Sequence, residues 1–136
     1  MTQTIEQSAA GDIVALFIKH LGNLALTDVA AMLHDECVFE TPYSGAVRRV
    51  KGKKAVMDYL STAMVSFIKH LDFTVTAVYP CVDPDTVVME YESHGEMRSG
   101  GPYGNQYINV SRLKDGKIIL FREYYNPLAI AAARAV

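Results

Sequence analysis

The sequence Tyr107-Ile-Asn-Val-Ser-Arg-Leu-Lys-Asp-Gly-Lys-Ile-Ile-Leu-Phe-Arg-Glu-Tyr-Tyr125 has the pattern of two β-strands joined by a tight turn. Asp115-Gly116 favours a two-residue hairpin loop, because both central residues of a type I′ turn need positive φ, which Asp and Gly tolerate. Apolar and polar residues alternate on both sides of this turn. The pattern therefore predicts antiparallel strands over Asn105–Leu113 and Lys117–Tyr125.

The register of this hairpin singles out one carboxyl group. If Lys114 pairs with Lys117, counting back from the turn gives three opposed pairs: Ile108 with Glu123, Val110 with Phe121, and Gln106 with Tyr125. Glu123 then lies on an apolar face, where poor solvation raises a carboxyl pKa and suits the group to general acid/base work. The alternative is an ion pair, but the adjacent Arg122 points to the opposite face. Glu123 is therefore the leading candidate for a catalytic residue.

The rest of the chain predicts a mixed fold. Apolar residues recur at helical spacing over residues 3–22, 27–35 and 54–68, and a short Ala-rich helix follows Asn126-Pro127. Alternating runs predict further strands at Cys37–Thr41, Leu71–Tyr79 and Thr86–Arg98, and the segment up to Gly52 is predicted to be a loop. This order predicts an α+β domain, with helices against one face of a curved antiparallel sheet.

Composition narrows the function classes. The 136 residues include 13 Lys and Arg against 15 Asp and Glu, a formal net charge of −2, so no basic field favours nucleic acid or a membrane surface. No apolar run approaches the length of a bilayer span, and the first residues lack a targeting pattern, so we expect a soluble, cytoplasmic protein folded as one domain over residues 1–136. Cys37 and Cys81 suggest neither a disulfide framework nor a metal site.

A second group of ionisable residues alternates along the strand Thr86–Arg98. Its members share one face: Glu90, Glu92, His94, Glu96 and Arg98. Such a face is usually solvated. If the turn at residues 99–103 instead sets His94 opposite Ile108 and Glu92 opposite Val110, then Glu92 and His94 lie beside Glu123, and a one-residue bulge would reverse this. No spacing imposes a metal site on these three residues, and none is expected.

Three segments resemble a known family. They are Tyr103–Val110, Lys114–Ile118 and Phe121–Pro127, and together they resemble the C-terminal half of SnoaL-like proteins in the nuclear transport factor 2-like superfamily. The ending Arg122-Glu-Tyr-Tyr-Asn-Pro127 is most similar to phenazine-biosynthesis A/B-like proteins, which Gly52–Val56 also resembles. The resemblance implies a cone-shaped fold whose sheet and N-terminal helices enclose a deep apolar pocket, in a homodimer that needs no cofactor.

The resemblance also implies roles for individual residues. Glu123 matches the acid/base glutamate of the phenazine-type proteins and a catalytic aspartate of limonene epoxide hydrolase. Glu92 then matches that enzyme's second catalytic aspartate, while Glu90 replaces its arginine, which argues against epoxide hydrolysis. The match favours an inward orientation of Glu90, Glu92 and His94. Several carboxyl groups and a histidine in one pocket cannot all be charged, so the cluster would hold both an acid and a base.

We therefore expect a cofactor-free isomerase, cyclase, dehydratase or hydrolase acting on a small, hydrophobic, ring-bearing molecule. Glu123 is its principal acid/base, with Glu92 or His94 as partner. The residues predicted to contact the substrate are Glu40, Tyr59, Met64, Glu90, Gln106, Ile108, Val110, Phe121 and Tyr125. The alternative is a non-catalytic module of the same fold that binds a small ligand or serves only in dimerisation.

Overall fold

The computed structural model describes residues 8–45 and 47–135. Its elements, in chain order, are α1 Ala9–Gly22, α2 Leu26–Met32, β1 Leu33–Glu40, β2 Arg49–Lys51, α3 Lys53–Phe67, β3 Ile68–Pro80, β4 Thr86–Met97, β5 Pro102–Lys114, β6 Lys117–Tyr125 and α4 Pro127–Arg134. No helix in these ranges is long and apolar enough to cross a membrane.

Helix α1 begins at a side-chain cap. The Ser8 hydroxyl accepts a hydrogen bond of 3.1 Å from the Gly11 amide, which satisfies one of the free donors of the first turn. Val14, Phe17 and Ile18 are fully or almost fully buried, whereas Leu16, which the helical spacing places beside Phe17 on the apolar stripe, is 47% exposed. The predicted start of this helix at residue 3 lies outside the described residues.

The six strands form one curved sheet in the order β2-β1-β6-β5-β4-β3, which confirms the predicted α+β class. All neighbours are antiparallel except β1 and β6, which run parallel. Two local predictions were wrong: β1 begins at Leu33 rather than Cys37, and Arg49–Lys51, predicted as loop, pairs with β1 as the edge strand β2. Three residues are too few to show an alternating pattern in the sequence.

The predicted hairpin between β5 and β6 is confirmed, but its register is not. Asp115 and Gly116 have φ of 53° and 75°, as the tight turn requires, and Lys114 pairs with Lys117. Leu113 then pairs with Ile118 and Arg112 with Leu120, so Ile119 has no partner and forms a β-bulge.

This bulge changes the pairing of the rest of the hairpin. Glu123 lies opposite Asn109 rather than Ile108, and Tyr125 lies opposite Tyr107 rather than Gln106. A shift of one residue moves every side chain of one strand to the other face relative to its partner. The predicted pairs of Glu123, Phe121 and Tyr125 are therefore wrong. Asn109, Tyr107 and Ser111 share their face instead.

Strand β4 presents its uncharged residues to the interior. Met89, Tyr91 and Ser93 are buried, whereas the His94 side chain is 75% exposed and that of Glu92 40% exposed. Glu92 pairs with Gln106 and His94 with Gly104, so the predicted pairs of Glu92 with Val110 and of His94 with Ile108 are wrong, although these residues do share one face of the sheet. Without the bulge in β6, Glu123 would lie on this same face; the bulge places it on the opposite face. The expectation that Glu90, Glu92 and His94 point into the pocket is therefore wrong.

The inner face of the sheet packs against the helices. Phe17 of α1, Phe39 of β1 and Phe121 of β6 form a cluster with ring centroids 5.0 to 5.9 Å apart. Such contacts between tilted and stacked rings stabilise a core beyond the apolar area they bury. Phe39 and Phe121 also line a cavity between the sheet and the helices.

Candidate active site

A cavity of about 670 Å³ lies between the inner face of the sheet, helices α3 and α4, and the loop after β1. This volume is in the range of sites for small organic ligands. The described side chains that line it are mostly apolar or aromatic: Leu21, Phe39, Thr41, Tyr43, Ser44, Gly45, Val47, Tyr59, Leu60, Ala63, Met64, Phe67, Ile68, Leu71, Phe73, Tyr103, Tyr107, Phe121, Glu123, Tyr125, Pro127, Ile130, Ala131 and Arg134.

Glu123 brings a carboxyl group into this apolar wall. The bulge at Ile119 turns it to the inner face, where it is enclosed by protein and reaches the cavity with part of its surface. Burial raises its pKa to about 7, although a hydrogen bond from the Tyr91 hydroxyl works in the opposite direction. Within residues 8–45 and 47–135, Glu123 forms no ion pair.

A directed chain of hydrogen bonds holds Glu123 from behind. The Ser111 hydroxyl donates to Asn109 Oδ1 over 3.0 Å, and Asn109 Nδ2 donates to the Tyr91 oxygen over 3.1 Å. The Tyr91 hydroxyl, with its acceptor site occupied, donates to Glu123. Burial and the neighbouring Glu123 raise the Tyr91 pKa well above its usual value, so the proton stays on the phenol. These three linked hydrogen bonds therefore fix the position of the Glu123 carboxyl group.

Aromatic rings form the floor beside this carboxyl group. Tyr107 stacks on Tyr91 with centroids 4.9 Å apart, and Phe73 meets both rings edge-on. The Tyr107 hydroxyl lies 2.8 Å from the Ser93 hydroxyl, and burial followed by the nearby Glu123 raises the pKa of Tyr107. This part of the site thus presents apolar ring faces, and its polar groups are the tyrosine and serine hydroxyls.

Asn105 joins the floor to the helix that closes the cavity. Its Oδ1 accepts from the Asn126 amide over 3.0 Å, and its Nδ2 donates to the Asn126 carbonyl over 3.1 Å. Asn126 caps α4 through a hydrogen bond of 3.0 Å from the Leu128 amide. Hydrogen bonds between the Asn105 side chain and the Asn126 backbone therefore tie the start of α4 to the sheet.

Of the residues predicted for the site, Glu123, Phe121, Tyr125, Tyr59 and Met64 line the cavity. The others lie on the outer face of the sheet: Glu40, Glu90, Glu92, His94, Gln106, Ile108 and Val110. The side-chain contacts recorded for them are with other residues of that outer face.

Four of these outer residues have identifiable side-chain partners. Glu40 accepts a hydrogen bond of 3.1 Å from Arg122, and Glu90 accepts one of 2.5 Å from Tyr79. His94 lies 3.7 Å from Glu92. None of these carboxyl groups reaches Glu123 from the opposite face of the sheet.

Sequence analysis missed Tyr91, Asn109, Tyr107 and Arg134. Tyr91 and Asn109 occupy alternate positions of buried strands, but the unbroken register assigned Tyr107 and Asn109 to the face away from Glu123. The one available signal was the run Ile118-Ile-Leu-Phe121, in which apolar residues stop alternating, as they can at a bulge.

Two curated relatives resemble most of the chain. YesE, an uncharacterised protein of Bacillus subtilis (strain 168), is 37% identical over 103 residues, covering 73% of this chain and 69% of YesE. PA3332, an uncharacterised PhzA/B-like protein of Pseudomonas aeruginosa, is 34% identical over 102 residues, covering 71% of this chain and 70% of PA3332.

Solved structures share the fold. A candidate isomerase from Bacillus subtilis superposes with a TM-score of 0.83 at 31% identity, covering 93% of this chain and 92% of that one. An LEH-like epoxide hydrolase of Mycobacterium tuberculosis gives 0.72 at 19% identity, covering 91% and 87%. Another protein of that organism, in complex with estradiol-17β-hemisuccinate, gives 0.73 at 22% identity, covering 90% and 98%.

The family model of the SnoaL-like domain matches residues 14–121, which run from α1 into β6 and include most of the cavity wall. Together with the relatives, this match shows that the chain belongs to the SnoaL-like family and is similar to PhzA/B-like proteins.

Proposed function

We propose that this protein is a cofactor-free acid/base enzyme that acts on a hydrophobic, ring-bearing small molecule in the cavity, with Glu123 as the group that moves the proton. The observation that carries this proposal is a carboxyl group with a pKa of about 7 and no ion-pair partner in the described residues, on the wall of a 670 Å³ apolar cavity. A catalytic base works best when its pKa lies near the working pH.

The surroundings of Glu123 support a proton transfer from carbon or oxygen. A carboxyl group of this pKa is about half ionised near neutral pH, so it can accept a proton in one step and return it in the next. Tyr91 holds one carboxyl oxygen, which leaves the other for the substrate. This exchange of one proton is common to isomerases, cyclases and dehydratases, and the similar Bacillus subtilis protein is described as a candidate isomerase.

The predicted partners Glu92 and His94 have no place in this mechanism, because they lie across the sheet from Glu123. A single-base mechanism remains, in which Glu123 removes the proton and delivers it again. The aromatic lining supports a ring as the bound part of the substrate, since stacked and edge-on contacts suit flat molecules.

The proposal can be tested with 5-nitrobenzisoxazole, a neutral aromatic probe that a positioned base converts into a coloured product. The base takes the proton from the ring carbon while the N–O bond breaks, giving a cyanophenolate that absorbs visible light. We expect elimination by the wild type to rise with pH around a midpoint near 7. Glu123→Gln should lower the rate by about 10²- to 10⁴-fold, the usual share of a general base.

Glu92→Gln is the matched control, because it removes a carboxyl group from the same sheet on the outer face. Its rate and pH profile should equal those of the wild type. Equal rates for wild type and Glu123→Gln, together with an ordinary pKa of Glu123 in a carbon-13 NMR titration, would reject the enzymatic proposal. The cavity would then be better explained as a binding site.

We also propose that two chains associate through the outer face of the sheet. Ile108 is 39% exposed there, and Val110, Leu120 and Tyr124 surround it on β5 and β6.

A further inference from the structure

The cavity has a second charged residue that neither the family resemblance nor the proposed mechanism uses. Among its described lining residues, Glu123 and Arg134 are the only ones that carry a formal charge near neutral pH. Arg134 belongs to the last turn of α4, and its exposed side chain lies at the rim. A helix C-terminus stabilises a cation, so the charge is well placed in its own helix.

One aromatic contact orients the Arg134 side chain. The guanidinium carbon lies 4.9 Å from the centroid of the Phe67 ring, which is itself part of the cavity wall. At this distance the ring face attracts the guanidinium, and its N–H groups can still donate hydrogen bonds. Within residues 8–45 and 47–135, no ion pair or hydrogen bond to a protein acceptor involves Arg134.

The helix that carries Arg134 is fixed relative to Glu123. Asn105 ties the start of α4 to the sheet through both of its side-chain atoms, and α4 follows β6 after the single residue Asn126. A further set of contacts comes from Ile130, which packs against the small cluster around Tyr103. The cation therefore occupies a defined position and does not belong to a free terminus.

Glu123 and Arg134 both lie close enough to Tyr59 to affect the pKa of its phenol. Burial is the main cause that raises the pKa of its phenol, and the nearby Tyr125 and Glu123 raise it further, whereas a hydrogen bond with Thr41 and, less strongly, the Arg134 charge lower it. The phenol of Tyr59, which lines the cavity, thus experiences the fields of both Glu123 and Arg134. A ligand in this cavity would experience both as well.

We propose that the cavity selects a ring-bearing anion, whose carboxylate or similar oxyanion group binds Arg134 while its ring lies among the aromatic residues near Glu123. A carboxylate matches the forked donors of a guanidinium and would be held at the rim, where water still reaches it. The inference rests on the proposed function for the role of Glu123, but the binding preference itself requires no proton transfer.

The test compares two fluorescent probes with the same rings. 8-Anilinonaphthalene-1-sulfonate carries a negative charge, and N-phenyl-1-naphthylamine is its counterpart without the sulfonate. In titrations near pH 6, where Glu123 is mostly protonated, Arg134→Met should weaken binding of the sulfonate by about three- to tenfold, the range of a partly exposed charge-assisted contact. Binding of the neutral probe should change by less than about twofold, since methionine keeps the contact with Phe67.

Three controls make the result specific. Arg134→Lys keeps the charge and should recover part of the affinity for the sulfonate. Arg112→Met removes an exposed cation from the outer face and should leave both affinities unchanged. Ala63→Trp fills the cavity and should abolish binding of both probes.

The proposal is overturned if Arg134→Met weakens both probes equally, if it weakens neither, or if the sulfonate still binds the Ala63→Trp variant. These outcomes are separate from a failure of the proposed function. If Glu123→Gln does not slow the elimination reaction, the charge preference can still stand as that of a binding protein. If the preference is absent but Glu123→Gln is inactive, the enzyme acts on a neutral substrate.

Discussion

A single carboxyl group, Glu123, carries both the proposed chemistry and a cost in stability. Its pKa rises from 4.5 to about 7 on folding because protein atoms replace water around it. Between these two pH values the folded chain keeps a proton that the unfolded chain releases. The folded state is therefore most favoured below the lower value and loses stability as pH rises to the upper one.

The prediction at this scale is a pH-dependent free energy of unfolding. We expect that of the wild type to fall by about 3 kcal/mol relative to Glu123→Gln between about pH 4 and pH 8, since each pKa unit corresponds to about 1.4 kcal/mol. Urea unfolding at several pH values measures this difference. Glu92→Gln should follow the wild-type profile, and parallel curves for wild type and Glu123→Gln would show that Glu123 titrates normally.

At the scale of elements, the sequence was sufficient for the main helices and strands, but not for the edge strand β2, the start of β1 or the bulge in β6. The Asp115-Gly116 turn was predictable because its residues prefer positive φ, and β4 and β5 were predictable from their alternation. The bulge at Ile119 was not, because either Ile118 or Ile119 suits a buried position equally well and tertiary packing decides between them. Glu123 was found despite this error because its aromatic neighbours along β6 move with it.

The junction of β6 and α4 provides the prediction for this scale. Asn105→Ala removes two hydrogen bonds to Asn126 and leaves that residue's amide without this acceptor, while its carbonyl still accepts from the Ala129 amide, at a cost of about 1 to 3 kcal/mol. We expect the amides of α4 to exchange hydrogen faster while those of α1 remain protected. Gln106→Ala, an exposed neighbour on the same strand, should change neither region. Equal exchange in α4 for wild type and Asn105→Ala would mean that apolar packing alone holds the helix.

The whole molecule is a sheet with two different faces, one enclosing the cavity and the other charged with an apolar centre. In a twofold symmetric dimer the same patch would contribute from both chains, so one substitution acts twice. We expect the wild type to sediment as a dimer and Ile108→Glu as a folded monomer. Val82→Glu, at a fully exposed turn position, is the control and should remain dimeric. A monomeric wild type, or a dimeric Ile108→Glu variant, would contradict association through this face.

The short connection between β6 and α4 links the proposed chemistry to the exchange of ligands. Glu123 and the first residue of α4, Pro127, are separated by three residues, and the intervening backbone is held by Asn105. Any displacement of α4 would therefore pull on the strand that positions the carboxyl group. A substitution that loosens this connection should therefore both speed ligand exchange and broaden the range of positions that the carboxyl group samples.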